Sequence, residues 1–342
     1  MRYRAALILL GIAAVAVVLA VVLGSREEAP APPEAAPTAA AETTVPERET
    51  SSTTVEEATT TTGPPATTLP PGATVCDPFG EVEVLGVVTN PDIIEASGLA
   101  QGRANEGILW THNDSRDGPR LYALGFDGSD LGTFEVGGAL AFDWEDIAVG
   151  PGPAAEVSYL YVGDIGDNFG IRNGLVTVYR VAEPDAPPGN GVIPNAVPLP
   201  LRYSDGSSPN AEALFVDPIG GGLFLVTRDR ELTRVYGAQA SSDGAATMPL
   251  DLVVEMDLDG ESVTAADISW DGSVIAFRGE EAVLMFSRPP GASIAEALEG
   301  GACSAPSPEE RQGEAIAFLS DGTIVTIAEG SNPALNRVRR DG

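Results

Sequence analysis

Short apolar runs, set off by Gly, Pro, Asn and Asp, recur from Cys76 to the C-terminus, and five of them share one pattern. Long helical periodicity is absent over the same stretch. Many short strands at regular spacing, carrying an internal repeat of blade length, predict an all-β fold of the β-propeller type. The expected architecture is five four-stranded blades, with six as the alternative, preceded by a membrane-spanning helix and a disordered stalk.

The N-terminus supplies the first element. "MRYR" is followed by Ala5–Gly24, twenty uncharged residues, which as a helix would extend roughly 30 Å and cross a bilayer. Arg2 and Arg4 would hold the N-terminus in the cytoplasm and export everything after Ser25. Residues 1–24 therefore read as a signal-anchor, giving a single-pass membrane protein with its domain outside the cytoplasm. Cleavage after Val22-Leu23-Gly24 and secretion is the alternative.

Residues 25–75 are rich in Pro, Thr, Ala and Glu and almost lack large apolar side chains. Such a segment cannot bury enough surface to offset its ordering entropy, which predicts an extended disordered linker. Residues 76–342 form the propeller domain. Its two cysteines, Cys76 and Cys303, are the only ones in the chain, and in an exported protein they predict one disulfide.

Charge limits the partners. The chain carries a net charge of −31 with no lysine, and residues 76–342 hold 42 acids against 15 arginines, a net −27. Nucleic acid and anionic membrane surfaces would be repelled, whereas cations would be attracted. Oligomeric state is left open.

Strands read from "EVEVLGVV", "GILWTHND", "RLYALGF", "YLYVGDI", "LVTVYRV", "GLFLVTR", "SVIAFRG", "AVLMFSR" and "TIVTIAE", with a short helix in "GASIAEALEGG". Aligning Leu99, Ile147, Leu214, Ile268 and Ile316 brings "ASGLA", "WEDIAVG", "AEALFVD", "AADISWDG" and "GEAIAFLSDG" into register. Each is followed by a second strand, twice across an Asp-Gly hairpin. The last repeat lacks its outer strand, and "EVEVLGVV" at the other end of the domain is expected to supply it, removing an open edge. That closure places Cys76 and Cys303 together at the periphery of the junction between the last two blades.

The alignment also organises the polar residues. Ser97, Glu145, Glu212, Ala266 and Glu314 share one register, and Asp146 matches Asp267 one place later. The first strand of each blade lines the central channel, so these positions converge on one mouth, accompanied there by Asp143. The ends of the second strands add His112, Asn113 and Asp114; Asp164, Asp167 and Asn168; Arg228 and Asp229; Arg278; and Glu329. Acids gathered in this way need a cation, arginines or water to offset their repulsion. Repeated acids near turns also cap backbone N–H groups, and Trp144 reads as packing.

Several chemistries can be weighed. With one histidine and two cysteines expected to be oxidised, a mononuclear zinc site built from His and Cys is excluded. Oxygen-rich loops such as "HNDS" and "GDIGDN" favour calcium, although "DLDG" (257–260) lacks the closing acid of an EF-hand loop. Glu145, Glu212, Glu314, Asp164 and Asp114 are the candidate ligands. His112, Asn113, Asp143, Asp146, Asp167, Asn168, Arg228, Asp267, Arg278 and Glu329 are candidates to line the ligand face. A carboxylate pair for glycoside hydrolysis would have the same spacing.

The combination "EASGLA", "LWTHNDS", "DWEDIAVGP", "LYVGDIGDN", "AEALFVDP" and "GEAIAF" resembles exported bacterial propeller proteins and, through the inner-strand motifs, esterase-like phytase and lactonase-type propellers. The resemblance implies a propeller fold over most of 90–330. In phytase propellers it implies calcium held by clustered acids, a motif matched here by Glu145, Glu212 and Glu314. It also implies a basic phosphate site, for which this lysine-free sequence has few arginines. The function expected is divalent-cation binding at an acidic face, joined by an unidentified ligand or protein partner. A calcium-dependent hydrolase acting on a phosphoester, ester or glycoside, and a scaffold without a small-molecule site, are the alternatives.

Overall fold

A computed structural model describes residues 74–340, apart from 78, 115–116, 185–188, 240–243 and 311. The expected membrane segment and all but the end of the linker lie outside the described residues. Among the described residues no helix is long and apolar enough to cross a membrane.

The innermost strands are β2 (Ala96–Gln101), β6 (Trp144–Gly150), β11 (Ala211–Val216), β15 (Val263–Ile268) and β19 (Gly313–Phe318). They pack side by side in that order, and β19 closes back on β2. They are short apolar runs buried along almost their whole length, as strands covered on both faces must be. From each, antiparallel neighbours step outward, which makes the ring a β-propeller.

The first sheet runs from β2 through β3 (Leu109–Asn113), β4 (Arg120–Leu124) and β5 (Asp130–Val136) to the short β9 (Gly191–Ile193). The next is eight strands wide. One half is β6, β7 (Tyr159–Asp164), β8 (Leu175–Ala182) and β10 (Val197–Tyr203); the other is β11, β12 (Gly222–Thr227), β13 (Thr233–Gln239) and β14 (Met248–Met256). The halves meet where β10 and β14 pair in parallel. The long interval between the second and third repeats therefore extends two existing sheets with β9 and β10.

The third sheet holds β15, β16 (Val274–Gly279), β17 (Val283–Ser287) and β18 (Ala302–Ala305), with helix α1 (Ile294–Glu299) between the last two. Ser293 and Glu296 form a capping box that starts α1. The fourth sheet is β19, β20 (Ile324–Ala328), β21 (Ala334–Arg340) and, outermost, the N-terminal β1 (Phe79–Val87), paired antiparallel with β21. The expected closure by the N-terminal strand is present.

Cys76 and Cys303 are disulfide-bonded, with Cα atoms 6.0 Å apart across 227 positions of sequence. The bond ties the entry to β1 to the outer strand β18 of the neighbouring sheet, within an apolar cluster that includes Val75, Met285 and Val338.

Each inner strand also carries a register break near its start. In β6, β11, β15 and β19 the extra residue is Glu145, Glu212, Thr264 and Glu314, and in β2 it falls within Ser97–Gly98. A bulge leaves its extra residue outside the ladder and re-aims the side chain. The bulge corrects the expected alignment in one place. In β15 its extra residue is Thr264 rather than Ala266, so the match of Asp267 to Asp146 is displaced by two residues.

Candidate acidic site at the channel mouth

Glu145 projects from the bulge in β6. Its carboxylate meets those of Asp114, just beyond β3, and Asp143, just before β6, and one oxygen from each lies within 4.8 Å of the others. The local structure holds all three. The Asp114 N–H donates to the Glu95 carbonyl at 2.9 Å, and the Asp143 carbonyl receives the N–H groups of Ile165 and Gly166 at 3.2 and 3.3 Å. A Cβ at Gly166 would overlap Glu145 Oε1 and Asp143 Oδ2, so any larger residue there would displace both carboxylates.

Two oxygens of the trio, Glu145 Oε1 and Asp114 Oδ1, are buried with no hydrogen-bond partner. Burial holds the Glu145 carboxyl well above the usual carboxylate range, and repulsion from Glu212, Asp114, Asp143 and Glu314 adds to it. Burial likewise pushes Asp114 up to about 7, with Asp143, Glu212, Glu95 and Glu329 contributing. Asp143 is raised by burial against the opposing charge of Arg172. A buried acid oxygen without a donor, beside two half-buried carboxylates, favours a cation that can replace its missing solvation.

The remaining expected ligands stand around the trio in different circumstances. Glu212 is ion-paired with Arg228 and accepts from Asn210 Nδ2 at 2.7 Å. Glu314 is pushed up to about 8 by burial, with Glu212, Glu329 and Asp114 adding to it and Arg228 opposing. Asp164 is engaged by Arg172 and by the Asp143 N–H, the latter at 3.0 Å. Asp143, expected on the ligand face, therefore occupies the third position of the trio.

Several expected face residues have other work. The Asp146 carboxylate is completely buried and accepts three backbone N–H groups, from Ile147 and Leu214 at 2.8 Å and Ala266 at 3.2 Å. Asp267 accepts from Ile268 at 2.8 Å and Phe318 at 2.7 Å, and burial pushes it up to about 7 despite the charge of Arg103. Arg103 follows β2, so Asp267 belongs to the far half of the channel. Arg278 is fully buried, donating to Ser307 Oγ at 2.6 Å and Glu310 at 3.2 Å. Asp146 and Asp267 thus link inner strands, and Arg278 fastens the connection between β18 and β19.

Asn113 accepts the N–H groups of Ile94 and Glu95, both at 3.0 Å, and shapes the connection into β2. Asp167 accepts from Ile171 at 2.7 Å and Ser208 at 2.9 Å, organising the turn after β7. Asn168 lies on that turn and accepts from Asn210 at 3.3 Å. His112 is completely buried beside the edge of Trp144, with ring centres 5.7 Å apart, and burial lowers its pKa to about 4. It is a neutral packing residue. Glu329 is half-buried, receives Gln312 Nε2 at 3.1 Å and adds its charge to the mouth.

Gly166 and the flanking Arg172 escaped sequence reasoning. The only available signal was the glycine in "GDIGDN", which reads equally well as turn punctuation.

No protein-family description matches the chain, and no curated protein matches it in sequence. Among solved structures it is similar to the PQQ-bound aldose sugar dehydrogenase of Streptomyces coelicolor, at 13% identity over 75% of this chain and 98% of that one, with a TM-score of 0.43. It is similar to the apo soluble aldose sugar dehydrogenase of Escherichia coli at 11% identity, over 76% of this chain and 99% of that one, with a TM-score of 0.43. A third is the Cps50 (Swd1) β-propeller domain of Myceliophteria thermophila, at 10% identity over 71% and 83%, with a TM-score of 0.39. Likenesses this distant carry nothing about activity.

Proposed function

We propose that this protein is an extracytoplasmic five-bladed propeller, held to the membrane by Ala5–Gly24, that binds a divalent cation at the acidic mouth of its channel. The observation that carries the reading is Glu145, a buried carboxylate whose Oε1 has no partner and faces two further carboxylates. The donors are all oxygen, and hard oxygen ligands select calcium over softer metals. The disulfide supports an oxidising compartment.

The one histidine is sealed inside the fold, which removes it as a general base. The ion orders the mouth for a ligand or partner. Isothermal titration of calcium into metal-stripped protein tests this reading. Saturable binding that Glu145→Gln weakens supports it, and a flat titration at millimolar calcium overturns it.

A further inference from the structure

The mouth that holds the trio also exposes large apolar side chains. Ile94, Leu140, Phe142, Phe169 and Ile171 are between 49% and 84% exposed, and Phe142 and Phe169 are the exposed phenylalanines among the described residues. They lie on three connections that are tied to the trio. Ile94 adjoins Glu95, whose carbonyl holds the Asp114 N–H. Leu140 and Phe142 immediately precede Asp143. Phe169 and Ile171 sit on the turn after β7, which is tied to the second connection by Gly166 and by Arg172. The Arg172 guanidinium pairs with Asp164 and lies 4.8 Å from the centre of the Phe142 ring.

Contiguous apolar groups bordered by charge mark interaction surfaces. Side chains this open line a surface rather than a closed cavity, which suits a chain segment better than a small molecule. Charge then selects the partner. The apolar groups stand among Asp114, Asp143 and Glu329 on a domain of net charge −27, and the nearby Arg172 and Arg228 are paired with Asp164 and Glu212. Complementary charge speeds encounter and suppresses wrong partners. The Arg172–Phe142 contact also shows that this rim accepts a guanidinium against an aromatic face.

We propose that this mouth docks a basic segment of a partner polypeptide in which arginine or lysine alternates with aromatic or aliphatic side chains. The cations meet the acids while the apolar side chains cover Phe142, Phe169 and Leu140. The docking rests on the rim and its charge and does not require an ion in the trio.

Fluorescence anisotropy with the full-length chain tests it. The probe is a short labelled peptide alternating Arg with Phe and Leu. One control has Ser in place of Phe and Leu, and another has Glu in place of Arg. The alternating peptide should bind at least about tenfold more tightly than either control, and Phe142→Ser with Phe169→Ser should remove about tenfold, as loss of a buried aromatic anchor does. Phe169→Ser alone, at the most exposed position, should act in the same direction with an unchanged melting temperature. Equal binding of the basic Ser control, or undiminished binding by both variants, overturns the proposal. A flat calcium titration with intact peptide binding would remove the metal reading and leave this one standing.

Discussion

Asp146 Oδ2 accepts the backbone N–H of Ala266 at 3.2 Å, across 120 positions of sequence. Their strands, β6 and β15, are not neighbours in the ring; β11 lies between them, and its Leu214 N–H donates to the same oxygen. One carboxylate therefore links three inner strands from inside the channel. Asn at this position would turn one N–H-accepting oxygen into a donor facing a donor. Asp146→Asn is accordingly predicted to cost roughly 2–4 kcal/mol, the range for a buried acceptor lost to its donors. Chemical denaturation with an unchanged slope checks it, and a loss below about 0.5 kcal/mol would mean that the link is dispensable.

Acid should stabilise the metal-free protein. Asp114, Asp267 and Glu314 have folded pKa values raised to about 7, 7 and 8. Between their unfolded values near 4 and those folded values, the native state binds more protons than the unfolded chain, so stability falls as pH rises through that window. Melting temperatures in EDTA should decline from pH 5 to pH 8. A rise across that range would show that these groups are ionised in the fold.

Calcium should reverse the trend, because it replaces the protons on the trio. Its stabilising shift in melting temperature should grow from pH 5 to pH 8. Gly166→Ala should reduce calcium affinity by about 10- to 100-fold, the usual cost of disturbing the groups that orient a metal's ligands. Its added Cβ would intrude on Glu145 Oε1 and Asp143 Oδ2. Unchanged affinity in that variant would place the ion elsewhere.

Reduction of Cys76–Cys303 should loosen the closing strand. The loop spans 227 positions, so the chain-entropy treatment sets about 5 kcal/mol as the upper scale of the loss. Cys76→Ser with Cys303→Ser should lower thermal stability, with faster amide exchange in β1 and β21 than in β2 or β6. Equal protection of β1 in both proteins would mean that pairing with β21 suffices without the bond.

Much of the fold was legible because it depends on local and periodic properties. Leu99, Ile147, Leu214 and Ile316 mark four inner strands through apolar runs that only a strand buried on both faces requires. "EVEVLGVV" declared itself as the missing outer strand because the last repeat was one strand short. Ile268 shows the limit of such reading. Set against Ile316 it is 48 residues away, whereas the hairpin pair Asp271 and Asp321 and the bulged pair Thr264 and Glu314 are each 50 apart, so a shared apolar letter misplaces β15 by two residues.

For the acidic mouth, the sequence by itself determined that carboxylates would gather at one end of the channel, since every blade places the start of its inner strand there. It could not determine which of them remain unpaired. Asp146, Asp164 and Glu145 look alike in a string of letters. Only the tertiary structure gave Asp146 three backbone N–H groups, gave Asp164 an arginine, and left Glu145 Oε1 facing Asp114 and Asp143 without a donor. The reason is physical. A carboxylate's role follows from which donors reach it and how much water remains, and both depend on residues far away in sequence, brought close when the ring closes.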